Sequence, residues 1–509
     1  MKGSPGSFDV VVVGFGPAGA VCAGLLGSLG VRTLAIDRSP AIYDKPRAFA
    51  LDHEIMRVLQ NIGCAAEVLP HTAPFTPSEY YGAGGQLIKR LGSVPPPYPQ
   101  GWPPNLVFSQ PPFEAALRRR VAAFSSVKVE LGTELVGLDQ ASNSVRLFLK
   151  SNSGKKQNIK ARCLIGCDGA NSTVRELLGI AYDDLEFDQP WLVVDVLVNG
   201  RGAAKLPKVS IQYCEPSRPC TYLIGPGDHR RWEIMLLPGE APRAMESEAQ
   251  VWRLLERWLA PAEASLWRAA SYRFHALVAR EWRRGRVFLA GDAAHQQPPF
   301  TGQGMCQGVR DVANLSWKLD RVLRGRAGDA LLDSYGAERG AHVRRLTATI
   351  KGIGKLIGER DPAAARARDA QLIAEANGEV RTVPRQDLIP PLECGYLSPL
   401  AHPANGTLFP QPLVSSKGRS VLLDEIAGCG FRVVLSKGMS MVKSNLLDAR
   451  FVSLDSLTEA EGVLARWFER HACSAAIVRP DHYVYGVAEN TAALERQLVS
   501  AAAGLEGKV

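Results

Sequence analysis

Hydrophobic and polar positions change their period several times along the chain, and each change marks an element. Val10 to Val13 is apolar at every position, which predicts a parallel strand buried on both faces. A glycine-rich turn and a helix follow, with Gly30 just past the helix end, and Val31 to Ile36 predicts a second strand finishing on Asp37. After a loop from Arg38 to Leu51, Ile55, Val58, Leu59 and Ile62 share one face of a helix capped by Asp52 and ended by Gly63. From Pro70 to Pro104 the wealth of Pro, Gly and Tyr suits irregular excursions and short strands. Pro111-Pro112 open a helix with Phe113, Leu117 and Val121 at four-residue steps. Val127 to Leu138, Val145 to Leu149 and Ala161 to Gly166 then read as strands.

The pattern changes near Trp191. Trp191 to Val198, Val209 to Tyr213, Thr221 to Ile224 and Trp232 to Leu237 are strand-like between Gly/Pro turns, and predict one antiparallel sheet. Val287 to Ala290 returns to a buried strand. The helix after Gly304 carries Met305, Val309, Val312, Ser316, Leu319 and Leu323 in a 4-3-4-3-4 spacing, closed by Gly325. An Ala-rich helical region runs to about Asn377, and the Pro-rich Val383 to Asn405 reads as a linker. Beyond it lies a small αβ-patterned unit, with Phe431 to Leu435 as a strand and Ala475 to Val487 as a hairpin turning at Arg479-Pro480-Asp481.

Length changes this picture by requiring two or three domains, because 509 residues exceed a single core. Apolar runs are all too short to span a bilayer, and the polar stretch Met1 to Ser7 has no signal-peptide apolar region, so a cytoplasmic protein is expected. The ten cysteines form no CxxC pair and no Cys/His cluster, which points away from zinc and from a disulfide framework. The net charge of +9 is scattered in short groups such as Arg118-Arg119-Arg120, so anionic small molecules are better partners for it than nucleic acid.

Candidate chemistry begins at Gly14-Phe15-Gly16-Pro17-Ala18-Gly19, the GxGxxG spacing of a dinucleotide turn. Its first glycine allows the turn, its second lets backbone approach a pyrophosphate, and its third brings helix and strand together. Asp37 falls near the offset at which an acid accepts ribose hydroxyls. Cys167-Asp168-Gly169 and Gly291-Asp292 each follow a buried strand. A lone Asp168 is also an ordinary helix cap, Gln110 an ordinary helix-start side chain, and His295 an ordinary structural histidine.

The three motifs in this order resemble the group A FAD-dependent aromatic hydroxylases, the p-hydroxybenzoate hydroxylase-like family, over about Phe8 to Arg345. The PRAxxLD pattern of Pro46 to Asp52, the Arg479-Pro480-Asp481 turn and the extra C-terminal unit are most similar to the 3-(3-hydroxyphenyl)propionate hydroxylases. The resemblance implies an α/β fold: a Rossmann-like FAD-binding domain, an inserted antiparallel β-sheet substrate domain, and a C-terminal thioredoxin-like domain that lacks CxxC. The implied division is 1–180 and 281–382 for FAD (with an excursion at about 70–104), 181–280 for substrate, 383–405 as linker and 406–509 as the last domain. That last domain is expected to be structural or an oligomer contact, a homodimer included.

The resemblance further implies non-covalent FAD, with NADH or NADPH and dioxygen as co-substrates. A phenolic ring would be hydroxylated through a flavin hydroperoxide, with a phenylpropionate-type phenolic acid favoured over a larger bicyclic or polyketide phenol. A flavin-binding protein without turnover stays open, whereas a plain dehydrogenase would leave Gly291 to Gly304 unexplained. The FAD residues implied are Gly14, Gly16, Pro17, Ala18, Gly19, Asp37, Arg38, Arg47, Gln110 and Leu135 in the first half. In the second half they are Asp168, Gly291, Asp292, Pro299, Gly302, Gly304, Met305 and Cys306, the last three through backbone N–H groups at the start of the long helix. His295 and Pro299 are candidates beside the reacting centre, and Trp191, Tyr213, Tyr222 and Met235 form a substrate shortlist from the sheet. No metal is expected.

Overall fold

The computed structural model describes residues 7–416, 418–442 and 444–507, so the polar stretch Met1 to Ser7 lies, but for its last residue, outside the described residues. The four valines form the middle of strand Ser7–Val13, with Val10, Val11 and Val12 fully buried. Five parallel strands run in the order Val287–Leu289, Lys156–Gly166, Ser7–Val13, Thr33–Asp37, Val127–Leu131, with Arg283–Arg284 added antiparallel at one edge. The chain turns in opposite directions on leaving Ser7–Val13 and Lys156–Gly166. Their carboxyl-end loops therefore meet at a topological switch point, where open α/β sheets form their ligand crevice. Helix Pro17–Ser28 opens with proline in its first turn, and Gly30 beyond it has φ +69°. Asp52 caps helix His53–Ile62 by accepting from the N–H groups of Glu54 and Ile55, and Gly63 ends it in the left-handed region.

The second sheet has nine strands, ordered His295–Gln296, Ala264–Ala279, Tyr182–Val198, His229–Met235, Cys220–Ile224, Ser210–Tyr213, Ser78–Tyr81, Leu87–Gly92, Thr382–Pro384. It is larger than the sequence suggests, for identifiable reasons. Strand Ala264–Ala279 pairs along nearly the whole of Tyr182–Val198, but its run ASLWRAASYRFHALVA mixes exposed and half-buried positions too evenly to show a period. Tyr182–Val198 starts well before Trp191, because its early carboxylates face outward onto arginines: Asp183 onto Arg280 and Arg344, Asp188 onto Arg273. Two pairings, Ser210–Tyr213 with Ser78–Tyr81 and Thr382–Pro384 with Leu87–Gly92, are parallel, so the sheet is mixed rather than purely antiparallel. The Pro-rich segment is packed down: it supplies the edge strand Thr382–Pro384, and Arg385, Leu392, Tyr396 and Ala404 are buried.

The two faces of this sheet differ. Leu192, Val194, Trp232, Tyr222 and Tyr213 form one core with Val251 and Leu255 of helix Glu248–Leu255. Trp191, Val193, Met235 and Phe274 turn the other way, toward Phe300 and helix Ala330–Ile357. Helix Gly304–Leu323 packs on helices Pro17–Ser28 and Ala330–Ile357 and buries Val309, Val312, Ser316 and Leu319, the stripe legible in its spacing.

The C-terminal unit is built on the strand order Arg450–Ser453, Arg432–Leu435, Ala475–Val478, Val484–Ala488, the first pair parallel and the others antiparallel. Its hairpin turns at Arg479 to His482, where His482 has φ +71°. Buried charges tie it to the rest of the protein. Arg479 donates to Asp481 and to Glu338 on helix Ala330–Ile357, Lys318 of the Gly304 helix pairs with Glu338 at 2.9 Å, and Arg57 pairs with Asp424 at 2.7 Å. Among the described residues no helix is long and apolar enough to cross a membrane.

Candidate active site

A cavity of about 720 Å³ begins at the switch point and ends on the second sheet. Its first wall is the glycine turn. Gly14 has φ +94°, and a Cβ there would fall 2.3 Å from the Cys167 carbonyl oxygen, so only glycine fits. A Cβ on Gly19 would strike the Gly14 carbonyl at 1.9 Å, which fixes how closely helix and strand pack. Gly16 is different: a Cβ there meets nothing within 4 Å and projects into the cavity, the open cradle a pyrophosphate needs. Gly14, Gly16, Pro17 and Ala18 line the cavity, and Gly19 stands behind them as a packing residue.

Asp37 accepts from the N–H of Phe15 at 2.6 Å and of Ser39 at 2.7 Å, so it also holds the glycine turn in shape. Arg38 and Leu135 line the same end, as do Arg47 and Gln110. Gln110 does not cap its own helix. Its Oε1 accepts from the N–H groups of Arg47 (3.1 Å) and Ala48 (2.6 Å), and its amide donates to Glu114, so it pins the loop that carries Arg47. Asp168 combines two roles: it lines the cavity, and it accepts from Ser172 Oγ (2.6 Å) and Val174 N (3.0 Å) at the start of helix Thr173–Leu177.

Asp292 makes no side-chain hydrogen bond among the described residues; only its backbone carbonyl accepts, from Tyr182. Its carboxylate opens into the cavity, and burial by the surrounding protein raises its pKa. A carboxylate so placed lacks donors, and a polyhydroxylated ligand chain supplies them. Gly291, Pro299, Gly302, Gly304 and Met305 line the cavity beside it. No side chain caps helix Gly304–Leu323, so its first-turn N–H groups are available to an anionic ligand edge. An orphaned carboxylate, an open glycine cradle and an uncapped helix end along one cavity fit a dinucleotide flavin.

Cys306 is fully buried with its thiol toward the Ala50 carbonyl, so its side chain is a core residue and only its backbone N–H at the helix start is left for a ligand. His295 needs correction. It is buried outside the cavity, stacked on Trp282, with Nε2 2.7 Å from Asp311 Oδ2. Asp311 also accepts from Gly291 N and from Arg339 Nε, so this trio holds the Gly291-Asp292 turn rather than touching a reacting atom.

At the far end, Val193, Gln212, Thr221, Leu223, Arg231, Glu233, Tyr272 and Phe274 face the cavity. The substrate shortlist needs correction here. Strand alternation sends Tyr213 and Tyr222 to the opposite face, and Trp191 and Met235 share the cavity's face but pack beneath Phe300 and Phe274. The sequence signal for the true lining was available as charge inside apolar runs: Arg231 and Glu233 in HRRWEIM line the cavity, and Asp195 in VVDVLV is the buried partner of Arg231. Asp195, fully buried, pairs with Arg231, His229 and Arg268, and these partners hold it below the usual carboxylate range despite its burial. Arg231 and Arg268 then donate to the carbonyls of Arg47 and Pro46, joining sheet to cofactor loop. A second cavity of about 170 Å³ behind the turn shares Thr301 and Arg385 with the first.

The chain matches the family model described as "FAD binding domain" over residues 7–349 and the one described as "HcaD C-terminal domain" over 406–502. It is 35% identical to a probable NADH-specific resorcinol 4-hydroxylase of Rhodococcus jostii (strain RHA1), covering 97% of this chain and 95% of that one. It is 34% identical to a 3-(3-hydroxy-phenyl)propionate/3-hydroxycinnamic acid hydroxylase of Mycobacterium sp. (strain JLS), covering 94% and 89%. Among solved structures it resembles the flavin-dependent monooxygenase PieE in complex with FAD and substrate (TM-score 0.83, 20% identity, all of both chains covered). It also resembles aklavinone-11 hydroxylase with FAD and aklavinone (TM-score 0.79, 24% identity, 98% and 99% covered).

Proposed function

The chain belongs to the FAD binding domain family, and on that premise we propose its finer chemistry: hydroxylation of a phenol that carries a carboxylate on a short side chain. The protein is a flavin-dependent aromatic hydroxylase acting on a phenolic substrate with FAD and NAD(P)H. The chemistry FAD supplies when bound is acceptance of a hydride from NAD(P)H and delivery of one atom of dioxygen to an electron-rich ring. The chain's own residues bind, orient and exclude water. Gly16 and Arg47 would hold the pyrophosphate, Asp292 the ribityl hydroxyls, and the Gly304 helix end the flavin edge that becomes anionic on reduction, worth about 0.3–2 kcal/mol. Attack falls ortho or para to the phenolic oxygen, because that oxygen donates density to those positions.

The carboxylate half rests on Arg385. This buried guanidinium stacks on Phe75 and donates to the Thr301 carbonyl at 2.7 Å, yet it makes no ion pair among the described residues and its Nε has no partner. A buried arginine without a counter-charge is costly, and a substrate carboxylate entering the shared cavity wall would supply one. Arg385→Met is therefore expected to raise KM for 3-(3-hydroxyphenyl)propionate by roughly 10- to 150-fold, the value of a charged hydrogen bond, while changing KM for resorcinol little. Equal changes for both would remove the carboxylate half and leave the hydroxylase. A larger bicyclic or polyketide phenol is the second reading, supported by the likeness in fold to aklavinone-11 hydroxylase with FAD and aklavinone.

The domain division carried with this proposal assigns 1–180 and 281–382 to FAD, 181–280 to substrate and 406–509 to a thioredoxin-like scaffold. The 383–405 segment is then a linker that also contributes Arg385. Non-covalent FAD is tested by acid precipitation of the yellow protein. The flavin should stay in the supernatant, and colour retained in the pellet would refute it.

A further inference from the structure

We propose that Glu233 is the catalytic base that takes the phenolic proton of the substrate, an inference that rests on the phenol-hydroxylase reading above. Alternation along His229–Met235 puts Arg231, Glu233 and Met235 on the cavity's face and Trp232 and Ile234 on the other. Cross-strand pairing then sets Val193, Glu233, Thr221 and Gln212 in one row across four strands. The polar groups around Glu233 are satisfied by one another. Thr221 Oγ1 donates to Gln212 Oε1 at 2.5 Å, and Arg231 is spent on Asp195 and on the Arg47 and Pro46 carbonyls. Within that row Glu233 is left over: its side chain makes no hydrogen bond or ion pair among the described residues, and it is only 4% exposed, toward the cavity.

A carboxyl in that position has no structural partner to justify its burial, so a ligand that can donate a hydrogen bond is its natural complement. A phenol O–H is such a donor. Burial pushes the Glu233 carboxyl up to about 7, with Arg231 pulling it down and Asp195 adding to the rise. A base is most effective when its pKa lies near the working pH. At this end of the cavity the other charged or titratable groups are Arg268, Tyr272, Arg273 and His275 from strand Ala264–Ala279, Arg385 from the Pro-rich segment and Arg47, while Asp37, Arg38, Glu134, Cys167, Asp168 and Asp292 line the remainder. In the step, the phenol O–H bond breaks, its electron pair stays on oxygen and spreads to the ortho and para carbons, and the proton forms a new O–H bond on Glu233. Negative charge passes from carboxylate to phenolate with no change in oxidation state.

The test uses the FAD-loaded full-length protein and Glu233→Gln and Glu233→Asp, with 3-(3-hydroxyphenyl)propionate, 3-hydroxycinnamate and resorcinol as probes. For whichever probe the wild type hydroxylates, product formation should rise with pH through an ionisation near 7. Glu233→Gln should lose that limb and fall roughly 10²-fold in kcat, with FAD content and probe Kd within threefold. Glu233→Asp should keep the limb at a reduced rate. Ultraviolet difference absorbance, which needs no turnover, should show bound phenolate at pH 8 in the wild type and only bound phenol in Glu233→Gln. A Gln variant that keeps the limb and the phenolate spectrum overturns the role of Glu233 alone. A wild type that hydroxylates none of the three probes overturns the function reading and this inference with it.

Discussion

Replacing Asp292 by alanine is expected to weaken FAD binding by roughly 5- to 150-fold, about 1–3 kcal/mol, the cost of leaving a ligand hydroxyl without its acceptor. The expectation follows from a carboxylate that opens into the cavity and has no protein donor among the described residues. Asp292→Asn keeps one acceptor oxygen and should fall between alanine and wild type. Glu256→Ala, on an exposed residue at the end of helix Glu248–Leu255, is the control. Flavin fluorescence during titration of the apoprotein gives the Kd values. If the alanine variant and the control bind FAD equally, Asp292 is not part of the site.

The second large effect is on stability. Arg479 is fully buried and donates to both oxygens of Asp481, to Glu338 at 2.7 Å and to the Tyr396 carbonyl at 2.9 Å. Arg479→Met strands two buried carboxylates, which costs about 3–5 kcal/mol when one partner of a buried pair is removed. Calorimetry should show a fall in the unfolding midpoint of at least about 3 °C. The pH dependence adds a signed check. Burial would raise the Glu338 carboxyl, but Arg479 and Lys318 hold it down to about 2. A depressed carboxyl contributes stability that is present above its unfolded pKa and lost as pH falls through the folded value. Without Arg479 the folded pKa rises toward or above the unfolded value, so this contribution shrinks and the midpoint deficit of the variant should narrow as pH falls below the ordinary carboxylate range. An unchanged midpoint at neutral pH would show that the Arg479 cluster does not hold the C-terminal unit in place.

Both predictions concern residues whose type was visible in the chain and whose partners were not. The glycine turn, the Asp52 cap, the Gly63 stop, the stripe of the Gly304 helix and the hairpin at Arg479 to Asp481 are all written locally, within one or two turns of chain. Their signals are steric or periodic and do not depend on what packs against them. Strand Ala264–Ala279 was illegible because its exposed and half-buried positions show no period, and the carboxylates of its partner Tyr182–Val198 meet Arg273 of the same strand, Arg280 just after it and Arg344 of helix Ala330–Ile357.

Legible in the sequence alone are the glycine turn, the buried parallel strands, the helix whose uncapped end meets the cavity and the family resemblance those motifs carry. Which side chains face the cavity is set by how the elements pack. Strand period fixes two alternating sets, but the burial of each set depends on what covers each face: Tyr213 and Tyr222 went to helix Glu248–Leu255, while Thr221 and Glu233 went to the cavity. The same holds for His295 and Arg385, one turned into the core by Asp311 and the other brought from a Pro-rich segment into the cavity wall. Pairing between residues more than a hundred positions apart is set by sheet register and helix packing, which no local pattern encodes.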